Sequence, residues 1–169
     1  AGLRDRFDGA VRFVFEPNEE TLDTGLEAGA YRLVRAGVLD DPRIDVVLGQ
    51  HVYPEYPTGQ VAVRAEVMMT GFDYLDLTIT GTTAHTSTAH KGADALVAAA
   101  HVVTALQTVV ARETSPLHSA VVTIASIHGG EAFNVTPESV RLTGTLRALT
   151  MDNLHWLQQR LREMAEQVA

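Results

Sequence analysis

Tyr74–Thr80 reads YLDLTIT. Apolar Leu75, Leu77 and Ile79 alternate with polar Asp76, Thr78 and Thr80, the period of two that marks a strand with one buried face. Downstream, Gly81–Gly92 is a polar loop carrying His85 and His90, and Ala93–Arg112, rich in Ala, Leu and Val, reads as a long helix. Val121–Ile127 is a second strand, His128–Phe133 a loop and Ser139–Arg147 a third strand. A closing amphipathic helix runs through Val168, with Thr150 or Asp152 as its cap. The order is β-α-β-β-α. One more strand would complete the split, ferredoxin-like β-α-β-β-α-β pattern, and the sequence stops before it.

Upstream of Gly71, the expected hinge, the pattern changes. Val11–Phe15 is a β-branched and aromatic run that ends at Pro17 and is followed by adjacent acids, Glu19 and Glu20. After the polar loop Thr21–Gly25, the segment Leu26–Ala36 has apolar residues at helical spacing, and Gly37 suits its C-cap. Asp40-Asp41-Pro42 breaks the chain before a second apolar run, Ile44–Leu48, which delivers His51. Strand, helix, strand implies a βαβ unit with parallel strands and a right-handed crossover. Strands this apolar suggest burial on both faces. Pro54, Pro57 and Gly59 mark a turn-rich boundary, and the alternation of Gln60–Glu66 suggests one more strand. The fold class expected is therefore α/β: part of a mixed or parallel-sheet domain over residues 1–70, then an incomplete α+β unit over residues 71–169.

Bulk properties exclude several functions. The chain has 169 residues, of which 46% are hydrophobic and 20% charged, a globular composition. The formal charge of −8 argues against nucleic acid as a partner, which needs a basic footprint. No apolar run of the sequence approaches a membrane span, no signal peptide is visible, and the chain does not begin with Met. With no Cys, disulfides and thiolate metal sites are absent from this chain, which fits a cytoplasmic protein, and any metal would need His and carboxylate ligands.

Several residues carry potential chemistry, each with a plainer alternative. Glu19 and Glu20 point oppositely if extended, so one could ligate a metal while the other serves as general base; the pair could equally be an exposed acidic loop. His51 at the next strand end could be a ligand or a structural His. His85, among Thr82, Thr83, Thr86, Ser87 and Thr88, suits a loop that contacts a ligand, or a merely solvated one. Asp94 could favour the helix N-terminus and pair with His90. Asn134 could hold a turn or donate its amide to a substrate carbonyl. Arg147 could clamp a carboxylate or lie free on the surface. His101 and His155 read as helix-surface residues.

Taken together, five stretches resemble the M20 family of metal-dependent amidohydrolases, in the subgroup of N-acyl-amino-acid, hippurate and auxin-conjugate hydrolases. They are FVFEPNEE, GLEAGAYRLVRAGVLDD, VVLGQHVYPEYPTGQV, ITGTTAHTSTAHKGADAL and IHGGEAFNVTPESVRLTGTLR, in family order across nearly the whole chain. The resemblance implies that residues 1–70 are part of a catalytic domain and residues 71–169 a lid that dimerises. It implies Glu19 as general base, Glu20 and His51 as ligands of a two-ion divalent site (zinc, manganese or cobalt), and an N-acyl amino acid as substrate. It further implies that His85 and Asn134 act on the scissile carbonyl across the interface of a homodimer, and that Arg147 binds the substrate carboxylate. The chain departs from the subgroup at Glu16 (usually Gln), Asn18 (usually Ala), Thr83 and Ala84 (usually Gly) and Ala89 (usually Pro). The family's N-terminal Cys-containing metal motif and its last His ligand are not in this sequence. The isolated chain is therefore expected to have little activity; a non-catalytic dimerisation module and a pseudoenzyme or split-protein fragment are the alternatives.

Overall fold

The computed structural model of the chain describes Arg6, residues 8–19 and residues 29–169. Residues 1–60 and 61–169 form two compact units. In the first unit, helix α1 (Gly29–Arg35) begins under a carboxylate: Glu16 Oε1 accepts the Ala30 N–H at 2.7 Å, satisfying an amide that has no partner inside the helix. The helix ends as expected at Gly37. There φ is +78°, the Gly37 N–H donates to Val34 O, and the Val38 N–H donates back to Leu33 O. This pair of bonds is the Schellman closure, which favours glycine at the left-handed position. The Arg12 guanidinium donates to the carbonyls of Val38 and Asp41, fastening the upstream segment to the loop after α1. The expected helical residues Leu26–Ala28 lie outside the described residues.

Three expected strands are absent. Val11–Phe15, Ile44–Leu48 and Gln60–Glu66 form no ladder among the described residues, and Phe15 and Leu48 are 86% and 92% exposed. A strand exists through a neighbour that exchanges hydrogen bonds with it. The first unit offers a single bridge, Asp40 to Arg43, among its described residues. The apolar runs therefore mark segments suited to a sheet, but the described residues alone show no ladder joining them.

The second unit contains the sheet of this α/β chain. Its elements are β1 (Gly71–Thr80), α2 (Ala95–Thr108) continued by a π turn (Val109–Glu113), β2 (Ala120–His128), β3 (Ser139–Ala148) and α3 (Met151–Val168). This is the expected β-α-β-β-α order. β3 is central and antiparallel to both neighbours, giving the sheet order β1-β3-β2. Leu75 faces Gly144 and Leu77 faces Leu142 on one side; Val122 faces Leu146 on the other. A bulge between Ile124 and Ser126 inserts one extra residue in β2. Beside it, a Cβ on Gly144 would stand 1.9 Å from the Thr123 carbonyl oxygen, so the two backbones approach too closely there for any side chain.

Both helices cover one face of this sheet. On β3 the buried residues alternate as Val140, Leu142, Leu146 and Ala148, the period the sequence pattern requires. On α2 they recur as Ala95, Ala99, Val102, Leu106 and Val109, and on α3 as Leu154, Leu157, Leu161 and Ala165. These three- and four-residue spacings form single helical stripes. By length and composition Ala95–Glu113 could cross a membrane, with a mean hydropathy of 1.5, so one run is more apolar than the sequence reading allowed; 28% of that run is buried, as the stripe packed against the sheet.

Polar contacts set the helix ends. Asp94 Oδ1 accepts the N–H groups of Leu96 and Val97 at 2.9 and 3.2 Å, capping α2. Thr150 Oγ1 accepts the Asn153 N–H, so Thr150 rather than Asp152 caps α3. The Arg160 guanidinium on α3 meets Glu113 with two parallel bonds, and this contact raises the Arg160 pKa above its usual value.

Leu157→Ala is expected to lower the unfolding free energy of the chain by about 2–5 kcal/mol. Leu48→Ala, on an exposed side chain, is expected to change it by no more than about 0.5 kcal/mol. Urea unfolding followed by circular dichroism reads both.

Candidate active-site loops

Two loops leave the same end of the sheet: residues 81–94, between β1 and α2, and residues 129–138, between β2 and β3. Their backbones pair. Gly81 N–H donates to Glu138 O at 2.7 Å, Thr136 N–H to Ala84 O at 3.0 Å, and Thr86 N–H to Asn134 O at 3.0 Å. His85 and Val135 sit opposite each other in an antiparallel bridge. The structure therefore brings His85 and Asn134 within one step of a short ladder, although they lie far apart in sequence.

Thr136 locks this ladder. It is 9% exposed, and its hydroxyl accepts the Ala84 N–H at 2.9 Å while reaching back to Ala84 O at 3.4 Å. Being β-branched and followed by Pro137, it is also biased toward extended backbone. The sequence reading passed over Thr136. The Thr-Pro step was a signal for extended backbone, but nothing in the sequence indicates that the hydroxyl reaches across to Ala84.

On the other side of His85, Thr88 N–H donates to His85 O at 2.8 Å, closing a 3-10 turn over Thr86–Lys91. The His85 ring is exposed, with Nδ1 held 2.8 Å from Ser87 Oγ and 3.2 Å from the Ser87 amide nitrogen. Asn134 is half-buried. No hydrogen bond joins His90 to Asp94, whose Oδ1 caps α2 instead.

Arg147 lies elsewhere. It is eight residues beyond Ser139, near the far end of β3. At about 3.4 Å per residue, that is roughly 27 Å along the strand. Its guanidinium sits 5.3 Å above the Phe72 ring, its cross-strand partner. Arg147 and Asn134 of one chain are therefore separated by the length of β3. Arg141, nearer the loops, is already paired with Asp76 through Nε at 2.9 Å and Nη2 at 2.6 Å. Arg141 holds the Asp76 carboxyl below its usual range, and Asp76 in turn raises Arg141.

In the first unit, Glu19 is exposed and follows Asn18, whose φ of +62° is a left-handed conformation that Asn tolerates. His51 is exposed; its Nδ1 lies against the Val52 carbonyl and its ring stands edge-on to Tyr53, with centroids 6.1 Å apart. Glu20 lies outside the described residues. Among those described, no group of three or more His, Asp or Glu side chains is placed to hold a metal ion. Imidazole and carboxylate donors suit a divalent cation chemically, yet the described residues do not assemble a centre for one.

Residues 68–169 match the family model described as the peptidase dimerisation domain. N-acetyl-L-cysteine deacetylase of Bacillus subtilis (strain 168) is 34% identical over 166 residues, covering 98% of this chain and 38% of that protein. A solved structure of a candidate aminohydrolase from methicillin resistant Staphylococcus aureus superposes with a TM-score of 0.77 at 36% identity, covering 90% of this chain and 38% of that one. A dinuclear metal binding peptidase of the M20 family from Bacillus subtilis superposes with a TM-score of 0.64 at 25% identity, covering 91% of this chain and 35% of that one. The chain thus spans well under half the length of these relatives.

Thr136→Val is expected to destabilise the second unit by about 1–3 kcal/mol, by leaving the Ala84 amide without its hydroxyl acceptor. Amide hydrogen exchange at Ala84 should quicken while exchange along β3 stays slow. Unchanged exchange at Ala84 would show that the hydroxyl does not hold the loop.

Proposed function

The chain belongs to the M20 peptidase dimerisation-domain family, and from that premise we propose that it forms part of an amidohydrolase cleaving the amide between an acyl group and an amino acid. One observation supports this reading: the backbone ladder that brings residues 85 and 134 within one step of each other, on a unit that matches the family. The B. subtilis deacetylase, a hydrolase of an N-acetyl amino acid, supports the substrate class. The M20 neighbour described as dinuclear and metal binding supports a divalent metal, for which zinc, manganese and cobalt are the candidates; the metal would supply Lewis acidity and a more acidic water. Glu20 and His51 are the ligands this chain would offer.

In the proposed reaction, Glu19 takes a proton from the attacking water as the carbon–oxygen bond forms. His85 and Asn134 donate hydrogen bonds to the carbonyl oxygen as it gains charge, an effect that counts only because the charge develops in the transition state. As the carbon–nitrogen bond breaks, Glu19 passes the proton to the leaving amine, releasing a free amino acid and a carboxylic acid, which gives its remaining proton to solvent and leaves as the carboxylate. A homodimer through the lid would resolve the separation along β3: His85 and Asn134 of one copy would meet a substrate whose carboxylate is bound by Arg147 of the other. The family description of residues 68–169 as a dimerisation domain supports this arrangement.

With N-acetyl amino acids and the metal-loaded, full-length enzyme of which this chain would be part, Glu19→Gln is expected to lower kcat about 10²–10⁴-fold, the weight of a general base. His85→Ala is expected to lower it about 10²–10³-fold, as removal of an oxyanion donor does. Full activity in Glu19→Gln would sink the base assignment. Light scattering on the eluting peak is expected to give twice the chain mass, and a strict monomer would remove the trans arrangement of His85.

A further inference from the structure

We propose that Ser87 is a positioning residue that fixes the His85 ring as its Nε2–H tautomer. The inference rests on the functional reading of His85 only for its consequence; the tautomer itself follows from geometry. A backbone amide can only donate. The Ser87 N–H points at His85 Nδ1 across 3.2 Å, so Nδ1 is the acceptor and carries no proton. In the neutral ring the proton then sits on Nε2. The Ser87 hydroxyl, 2.8 Å from the same nitrogen, must also donate to it. One residue thus supplies two donors to one ring nitrogen.

The backbone holds this arrangement from both sides. Thr136 clasps Ala84 on one flank, and the Thr88 amide and hydroxyl both reach the His85 carbonyl on the other, at 2.8 and 3.3 Å. Ring rotation about the side-chain bonds is the remaining freedom, and the two bonds from Ser87 remove it. Among the described residues Nε2 has no hydrogen-bond partner, and the ring is exposed, so its N–H is presented outward. The ring is thereby a donor before any substrate arrives, which is the state needed to receive a developing oxyanion. With the opposite tautomer, a bare Nε2 would repel that charge.

The test uses the ¹⁵N-labelled chain at a pH about two units above the ordinary imidazole pKa of about 6.5. Long-range proton–nitrogen correlation spectra report the tautomer of each His, and His85→Gln assigns the signal. Expected is one tautomer with Nε2 protonated, a partial shift of that signal toward the two-tautomer average in Ser87→Ala, which keeps the amide donor but loses the hydroxyl, and its return in Ser87→Thr. In turnover, Ser87→Ala is expected to cost about two- to tenfold in kcat, the weight of one hydrogen bond, with KM nearly unmoved. An Nδ1–H or mixed tautomer in the unaltered chain overturns the proposal, as does an unshifted His85 signal in Ser87→Ala. The two readings separate cleanly. A locked tautomer with full turnover in His85→Ala would fail the catalytic role alone; an unlocked ring with crippled His85→Ala would fail the lock alone.

Discussion

β3 is bonded along both edges and covered on one face, and the second unit depends on that double commitment. Its alternation of Val140, Leu142, Leu146 and Ala148 supplies the floor on which both helices rest. Its hydrogen bonds hold β1 and β2 in register. Gly144 shows how tight the arrangement is, since the adjacent Thr123 carbonyl lies where any larger residue would place a carbon. The loops that carry His85 and Asn134 take their positions from this strand: one precedes β3, and the other leaves β1 where Gly81 bonds to the residue just before β3.

Strength and chemistry are divided along the chain. The sheet and helix stripes hold the apolar contacts, while His85, Asn134, Ser87 and Thr136 sit in loops outside them. A loop ordinarily supplies mobility more than precision. Here backbone bonds between two loops, with one buried hydroxyl, lend the site some of the order of the sheet. The arrangement suits a group that must present a donor without first being reorganised by its ligand.

The second unit was largely legible in the sequence because its signals are local. The alternation of YLDLTIT, the helical stripe after Asp94 and the Thr150 cap each depend on neighbours a few residues away. In the first unit the helix and its Gly37 cap were legible and the strands were not, because Val11–Phe15 and Ile44–Leu48 reveal only what they would tolerate as neighbours. Whether a strand forms depends on another strand, which no local pattern supplies. The candidate site was half legible for the same reason. His85 and Asn134 stand out by type and by family resemblance, but their adjacency is a product of the ladder. Arg147 stands out by its type and by resemblance, while its place at the far end of β3 follows from the register of the sheet. Ser87 and Thr136 were hidden among many hydroxyl residues, distinguishable only by where they point.

The bulge in β2 has a consequence for how this protein can meet other chains. β2 is an outer strand, and among the described residues its outer edge has no ladder partner, a template on which a foreign strand could add. The extra residue between Ile124 and Ser126 breaks that template into a run of five residues, 120–124, and a run of three, 126–128. A strand docking there could extend its ladder without interruption over five residues at most. The same kink that accommodates Gly144 within the sheet therefore limits uncontrolled growth of the sheet outward.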